Sequence, residues 1–500
     1  MVKAGPKLKL SFKSTSFLPT VAIGALAVVY VSADAFSISA LAVSLISLGL
    51  TLLFSLKNIK LPQTLRVLRL PLVSLACGLI LGASAQLRIE AWKKLPFSGL
   101  PLAQVGSFKA VLVKDSVSAQ DNLQVYSCHL LQVSQQSAGH TATASGSLTL
   151  WVIDGPTLFT GAIVDVKGRL KEDVKHGESR FVASIKRNQL SYGPYISELL
   201  KTRAIALTTL SAQLQRLGQP QAGLLEALFL GIKDHLAFNL QSSFKRTGSL
   251  HLLALSGLHV GILSALVFFL LKPLKHRFLK IGLVNLGLLF YLYLIGPEPA
   301  LLRACLMFFL TSLALALDRE LEPLNLLALT AVLVLILDPA SSHSLSFKLS
   351  YLALTGILTL GTRLNQALTP YLPRFARGLL AASTSAQVFT SPLVLAEFGT
   401  IYPGGLVASL LLIPLTTIFL WSGLILFVLS LLPFTPLLDL AKSILAQEYQ
   451  LLAGISEWLA QIPGLTLAWQ PWYWPLALLI LTLCALNLPL KKGYELQLQD

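Results

Sequence analysis

The segment His251-Leu-Leu-Ala-Leu-Ser256-Gly257-Leu-His259-Val-Gly261 opens an apolar run that reaches Leu271. Two imidazoles, a hydroxyl and two glycines head a stretch otherwise suited to lipid. Ionisable groups at membrane depth are costly and ordinarily mark a path or a site. On one helix Ser256 and His259, three residues apart, share a face. His251 lies eight residues from His259, about 80° round, so the three would form one broad polar stripe. The same residues also suit a helix end at the headgroups with its hydrogen bonds satisfied. A Ser and a His one turn apart further suggest a nucleophile and its base. Against that, residue 254 is Ala, so the Gly-x-Ser-x-Gly elbow is missing. One turn of helix also points both side chains the same way rather than at each other. No catalytic residue, metal site or cofactor is therefore expected.

Further polar residues sit at or near apolar runs: Asp234, Glu298, Arg303, Lys348, Gln387 and Glu397. Arg303, four residues past Pro299, has three readings: snorkelling to the interface, pairing with Glu298, or facing a water path. Gln387 lies in a run with Ser383, Thr384, Ser385, Thr390 and Ser391. Helices rich in small polar residues pack on other helices or line a cavity, because lipid offers them no partners.

Composition says what must position these groups. The 500 residues are 54% hydrophobic and 12% charged, with a mean hydropathy of +0.70; soluble domains carry about 25% charged residues. Repeated apolar runs of membrane-crossing length predict a polytopic helical membrane protein. No short apolar stretch with a cleavage site precedes the first run, so it is expected to remain as an anchor. The formal charge of +16 reflects cytoplasmic loops in part, and it suits an anionic partner such as lipid headgroups or nucleic acid. The four cysteines are scattered without pairing or metal spacing.

In chain order, a basic tail precedes spans at 18–33, 36–56 and 71–87. Parity then places residues 88–195 outside the cytoplasm. There, period-2 runs replace long apolar ones. Five strands are expected: Phe108–Lys114, Leu123–Val133, Ser147–Ile153, Ala162–Lys171 and Arg180–Leu190. About five strands in about 100 residues predict a small β-barrel of the OB type, a common reader of single strands. Aromatic and basic residues alternate there, which suits base stacking plus phosphate contact. Phe108, Lys109, Trp151, Lys167, Arg169, Lys186 and Arg187 are the candidates, although aromatics equally fill barrel cores and lysines solvate exteriors.

Residues 196–248 read as amphipathic, interfacial helices, with Arg203 and Arg216 among leucines. Spans are expected at 250–271, 281–295, 303–317, 324–338, 346–361 and 379–396. The loop holding Lys272, Lys275, His276, Arg277 and Lys280 is a strong cytoplasmic signal. The run 401–431, interrupted by Pro403, Gly404, Gly405 and Pro414, suggests a discontinuous element plus one span. Residues 434–462 read as interfacial. The Trp469–Trp474 group precedes a last span at 475–490.

Four stretches in sequence order now resemble the ComEC competence-protein family, the inner-membrane DNA channel of natural transformation. They are Gly231–Asp234 leading into the opening motif; Gly296-Pro-Glu-Pro-Ala-Leu-Leu-Arg303-Ala-Cys-Leu-Met307; Asp338-Pro-Ala through Ser346-Phe-Lys-Leu-Ser350-Tyr-Leu-Ala; and Ser385-Ala-Gln387 through Pro392-Leu393 and Phe398-Gly399 to Leu412-Ile-Pro414. The resemblance implies a channel passing one DNA strand into the cytoplasm. Asp234, His251, Ser256, His259, Glu298, Arg303, Lys348, Gln387 and Glu397 are then pore candidates, and the β domain handles incoming DNA.

Two departures stand out. Many family members continue into a metallo-β-lactamase-like domain with a His-x-His-x-Asp-His motif, and none of the eight histidines here sits in such a pattern. A short form without nuclease activity is expected. Ser409 stands where the family leads one to expect Asn.

The expected organisation is three spans in 1–87, an extracytoplasmic OB-like domain in 88–195 and interfacial helices in 196–248. A helical channel domain in 249–431, an interfacial amphipathic helix in 432–470, and a last span with its tail in 471–500 complete it. Expected partners are single-stranded DNA, membrane lipids and other competence proteins: a DNA receptor and a cytoplasmic helicase or single-strand-binding protein. Assembly with further copies of this chain stays open. No phosphate-cradling Gly-x-x-x-x-Gly-Lys-Ser/Thr loop occurs, so the driving force is expected from a partner or from ions. The competing reading is a small-solute or lipid-linked secondary transporter, which broken helices and buried polar groups serve equally.

Overall fold

The structure is a computed structural model. It describes residues 101–466 together with Ser84 and Phe97–Ser98, excluding 119–122, 136–140, 176–177, 320–321 and 431–434. The expected spans at 18–33, 36–56, 71–87 and 475–490, the Trp469–Trp474 group and both tails lie outside the described residues.

Alternation of apolar and polar residues builds the first half. Ten strands form: β1 (Phe97–Ser98), β2 (Val105–Leu112), β3 (Val117–Ser118), β4 (Leu123–Gln135), β5 (Thr141–Ser145), β6 (Ser147–Ile153), β7 (Ala162–Lys167), β8 (Lys171–Lys175), β9 (Glu178–Lys186) and β10 (Leu190–Tyr195). They hydrogen-bond in the order β10-β7-β2-β4-β6-β9-β8, with β3 and β5 also on β4 and β1 on β5. β6 and β9 run parallel, making the sheet mixed. In β6, and in β4 as far as Leu130, every second residue is buried, as a sheet with one covered face demands. Phe108, Tyr126, Leu150, Val164 and Phe181 meet in that core.

Three expectations are corrected here. Twice the expected number of strands forms, because β1, β3, β5 and β8 are only two to five residues long, too short to show period-2 patterning, and β10 does not alternate. The expected run 162–171 also divides near Gly168, where the chain turns between β7 and β8. In addition, the ladder ends at β10 and β8, and among the described residues no pair joins those ends. The sheet is therefore not closed into a barrel there.

The second half is helical: α1 (Glu198–Gln215), α2 (Gln221–Leu230), α3 (Phe238–Arg246), α4 (Gly257–Leu270), α5 (Arg277–Ile295), α6 (Pro299–Ala316), α7 (Pro323–Leu337), α8 (Leu345–Ala367), α9 (Arg374–Phe398), α10 (Gly405–Leu429) and α11 (Thr435–Leu459). Local chemistry sets the ends. The Ser197 hydroxyl accepts from the Leu200 amide at 3.3 Å to start α1. Pro299 and Pro323 occupy first turns, where a missing N–H costs nothing. α5, α6, α8, α9 and α10 are long and apolar enough to cross a membrane, while α2, α4 and α7 are shorter apolar helices. This is the helical content of a polytopic membrane protein.

Close packing fixes their arrangement. A Cβ at Gly423 of α10 would collide with the Leu225 side chain of α2. One at Gly356 of α8 would stand 2.5 Å from the Ser385 carbonyl oxygen on α9. Leu225, Leu228, Phe244, Leu253, Leu301, Leu412 and Phe419 share a core with Phe159 from the sheet region, so sheet and helices are packed together. α2 is buried along nearly its whole length. It is a core helix, and the interfacial reading of 196–248 does not describe it: the apolar run Leu224–Leu230 has no polar face to leave in water. The expected break within 401–431 is also corrected. The chain turns at Tyr402–Gly404, and α10 continues unbroken through Pro414.

Candidate functional site

The motif that opens the membrane-like run does not lie on one helix. His251 falls in a short 3-10 turn, Leu250–Leu253, and is exposed. Ser256 is extended and caps α4, which begins at Gly257. The expected stripe of His251, Ser256 and His259 is therefore absent, because the cap breaks the helical register. Ser256 and His259 do meet, contrary to the expectation for one helical turn. The Ser256 amide donates to His259 Nδ1 at 3.0 Å, and Ser256 Oγ lies 3.3 Å from the same nitrogen. Ser256 Oγ also accepts from the Leu258 amide at 3.3 Å. The pair forms a capping box with His in the place usually held by Glu or Gln.

That geometry fixes the tautomer. Nδ1 accepts a backbone N–H, so in the neutral ring the proton resides on Nε2. His259 is 5% exposed, and its Nε2 has no hydrogen-bond partner among the described residues. A buried donor without an acceptor is costly and is open to a guest acceptor. The Nδ1 lone pair, already engaged by the amide, is not free to deprotonate Ser256 Oγ.

The start of α4 lies against α6: a Cβ on Gly257 would sit 3.8 Å from that of Ala304. The next-door Arg303 carries its guanidinium 5.9 Å from the Tyr351 ring centroid on α8, and its Nε is buried without a partner among the described residues. No ion pair joins it to Glu298, which is exposed ahead of α6. Gln387 Nε2 donates to the Tyr402 carbonyl at 3.0 Å, tying α9 to the turn before α10. Lys348 is half-buried on α8, and Glu397 is exposed near the end of α9. Asp234 accepts from Thr157 Oγ1 of the sheet region. The pore candidates thus divide: the starts of α4 and α6 bring Ser256, His259 and Arg303 into one neighbourhood, while Gln387 is a structural tie and Glu397 stands apart.

Of the aromatic and basic candidates in the sheet, Phe108 is 1% exposed and belongs to the core. Its expected stacking role is corrected, since alternation along β2 turns it inward. Trp151 is 42% exposed. It stands in a cross-strand row with Val117, Val125 and Ser184, and the adjacent row holds Leu123, Ile153 and Lys186. Arg187 follows Lys186 in a 3-10 turn and is exposed. Lys109 lies 3.8 Å from Asp165. Lys167 and Arg169 are exposed. The outer face therefore carries an aromatic between two basic margins. Burial pushes the Cys128 thiol up to about 12, so it is inert at neutral pH.

Two polar clusters escaped the sequence reading. Arg203 of α1 donates to Asp115 Oδ1 and Oδ2 at 2.8 and 2.6 Å, and to the carbonyls of Tyr293, Leu294 and Ile295 at the end of α5. Thr160 adds a backbone and a hydroxyl donor to Asp115 Oδ1, both at 2.7 Å. Burial pushes the Asp115 carboxyl up, and Arg203 and Thr160 more than offset it, leaving the group below its ordinary value. The clue was Arg203 standing in register with Leu207, Leu210 and Leu214 on the apolar stripe. The second cluster surrounds the fully buried Glu226, which accepts from Ser211 and Gln215 and lies 2.7 Å from His235 Nδ1. The lone carboxylate in the apolar run of α2 was its only signal.

A family model described as "Competence protein" matches residues 228–493, more than half of the chain. The chain belongs to the Competence protein family. The matched region contains every pore candidate from Asp234 to Glu397, and the sheet lies outside it. This family member is 31% identical over 273 residues to an "Uncharacterized protein" of Aquifex aeolicus, covering 54% of this chain and 60% of that protein. It is 27% identical over 210 residues to "ComE operon protein 3" of Bacillus subtilis, covering 42% and 26%. It is 27% identical over 249 residues to "Recombination protein 2" of Haemophilus influenzae, covering 46% and 31%. These matches span less than two thirds of each relative. No solved structure matches.

Proposed function

We propose that this competence-family chain conducts single-stranded DNA across the cytoplasmic membrane during natural transformation. The observation that carries this reading is the overlap between the family match at 228–493 and the five long apolar helices found among the described residues. Within that overlap, His259 Nε2 and Arg303 Nε are buried donors without partners among the described residues. Both suit transient contact with phosphate oxygens.

In this reading the sheet faces the outside and passes a strand to the helices. Trp151 offers a stacking surface, and Lys109, Lys167, Arg169, Lys186 and Arg187 offer phosphate contacts, the mixture single-strand readers use. An open sheet performs this as well as an OB-type barrel, because stacking and charge need a face rather than closure. Asp115–Arg203 and Thr157–Asp234 hold that face on the helical part. Strand movement is driven by a cytoplasmic helicase or single-strand-binding protein, after delivery by a surface DNA receptor. Hydrolysis within this chain has no support from the Ser256–His259 pair, whose nitrogen serves the cap.

The test is salt-dependent binding of a fluorescent oligodeoxynucleotide to the full chain in nanodiscs. Binding that weakens steeply with salt and with Trp151→Ala supports the reading. Absence of affinity even at low salt overturns the role given to the sheet.

A further inference from the structure

At the ends of α4 and α6 and the start of α5 the helices splay to leave a cleft of about 800 Å³. Its wall is apolar, with Phe268 and Phe308 at a ring-centroid distance of 6.4 Å and with Ile281 and Leu315 also lining it. Its rim is basic: Lys275, Arg277, Lys280 and Arg319 face it together with Asp318, the one carboxylate among the described residues that line it. Arg277 donates to the Leu315 carbonyl and lies 3.4 Å from Asp318, an arrangement that fixes its guanidinium at the edge. Lys280 Nζ lies 3.3 Å from the Lys272 carbonyl. Lys275 has no hydrogen-bond or ion-pair partner among the described residues and is exposed. Ser312, which also lines the cleft, accepts from Asn285 Nδ2 at 2.8 Å and donates to the Phe309 carbonyl at 2.8 Å.

We propose that this cleft binds an anionic phospholipid, with its headgroup on the basic rim and an acyl chain along Phe268 and Phe308. Charge complementarity selects the occupant: the excess of cations calls for an anion, and the apolar wall calls for a hydrocarbon chain on the same molecule. Basic pockets between membrane helices hold anionic headgroups on these terms. The long stems of Lys275 and Lys280 lie along apolar surface while their ammonium groups reach the headgroup layer. A DNA strand supplies the charge and leaves the apolar wall uncovered, which is why lipid fits better. The site would hold the turn between α4 and α5, at the end of α4 opposite Ser256 and His259, in a lipid-dependent position. It does not depend on the DNA reading.

The experiment is native mass spectrometry of the full chain extracted from membranes containing phosphatidylglycerol and phosphatidylcholine. The expected result is preferential retention of phosphatidylglycerol. Lys275→Gln with Lys280→Gln should lower it about tenfold. Thr311→Trp, which sets an indole into the cleft among its apolar residues and leaves every charge in place, should lower it as well. Lys245→Gln with Arg374→Gln, outside the cleft, should leave it unchanged. Equal retention of both lipids, equal loss in the outside pair, or undiminished retention in Thr311→Trp would each overturn the proposal. So would a bound oligodeoxynucleotide that added phosphatidylglycerol fails to displace from the cleft, or an undescribed segment of this chain that cross-links into it.

Discussion

Arg203 and Asp115 form a two-point ion pair, 2.8 and 2.6 Å, across the junction of the sheet and the helices. The arginine side chain is 5% exposed and the aspartate 33%. The same guanidinium takes three carbonyls at the end of α5, so one side chain stitches a loop of the sheet, α1 and a membrane-length helix together.

Removing either partner leaves a charge in a poorly solvated place. Arg203→Met or Asp115→Asn should destabilise the chain by about 3 kcal/mol, the low end for buried pairs because Asp115 keeps some water contact. The pH dependence follows from the lowered Asp115 value. The carboxylate's contribution is fully present above its ordinary value near 3.8 and is lost as pH falls through the lower folded value. Thermal melts of detergent-solubilised protein should show that acid-side loss in the wild type and not in Asp115→Asn.

The Ser256–His259 cap allows structure to be tested apart from the proposed import. Ser256→Ala should cost about 1 kcal/mol and leave DNA import close to normal, because the hydroxyl is no nucleophile. His259→Gln keeps an acceptor for the Ser256 amide and, at this buried position, should destabilise by about 1 kcal/mol. It should nonetheless reduce import, because the donor at Nε2 is displaced. Expression, melting point and transformation frequency measured on both variants check this. Import unchanged in His259→Gln would remove that nitrogen from the pathway.

On the sheet, Trp151→Ala should weaken oligonucleotide binding by about 1–3 kcal/mol with the melt unchanged. Lys186→Gln with Arg187→Gln should lower the salt-dependence slope by about 1.4, two phosphate contacts at about 0.7 each. Phe108→Ala should do the reverse, destabilising the fold by about 3–5 kcal/mol through the cavity it leaves. Fluorescence anisotropy over a salt series distinguishes these.

Much of this fold is legible in residue patterns. β6 matched its sequence expectation, Ser147–Ile153, because clean alternation marks a half-buried strand. Apolar length gave the helices that became α5 to α10. Register against caps was harder to read. Ser256 has the sequence of a helix residue and the conformation of a cap, so the polar stripe dissolved while the pair it predicted on one face came into contact by another route. Pro403-Gly404 and Pro414 looked alike as breakers, yet only the first lies outside a helix, in the turn just before α10, while the second lies within α10. The Arg203–Asp115 pair joins residues 88 apart, and no local pattern announces such a partner. Arg203 was visible only as a cation misplaced among leucines.

The most direct measurement follows labelled duplex DNA into a host strain lacking this chain, with the gene restored as wild type or as Arg303→Met. Wild type should return nuclease-protected single-stranded label to the cytoplasm, and the deletion should hold the label outside, with Arg303→Met well below wild type. Normal entry of labelled strand into the deletion strain would contradict the channel.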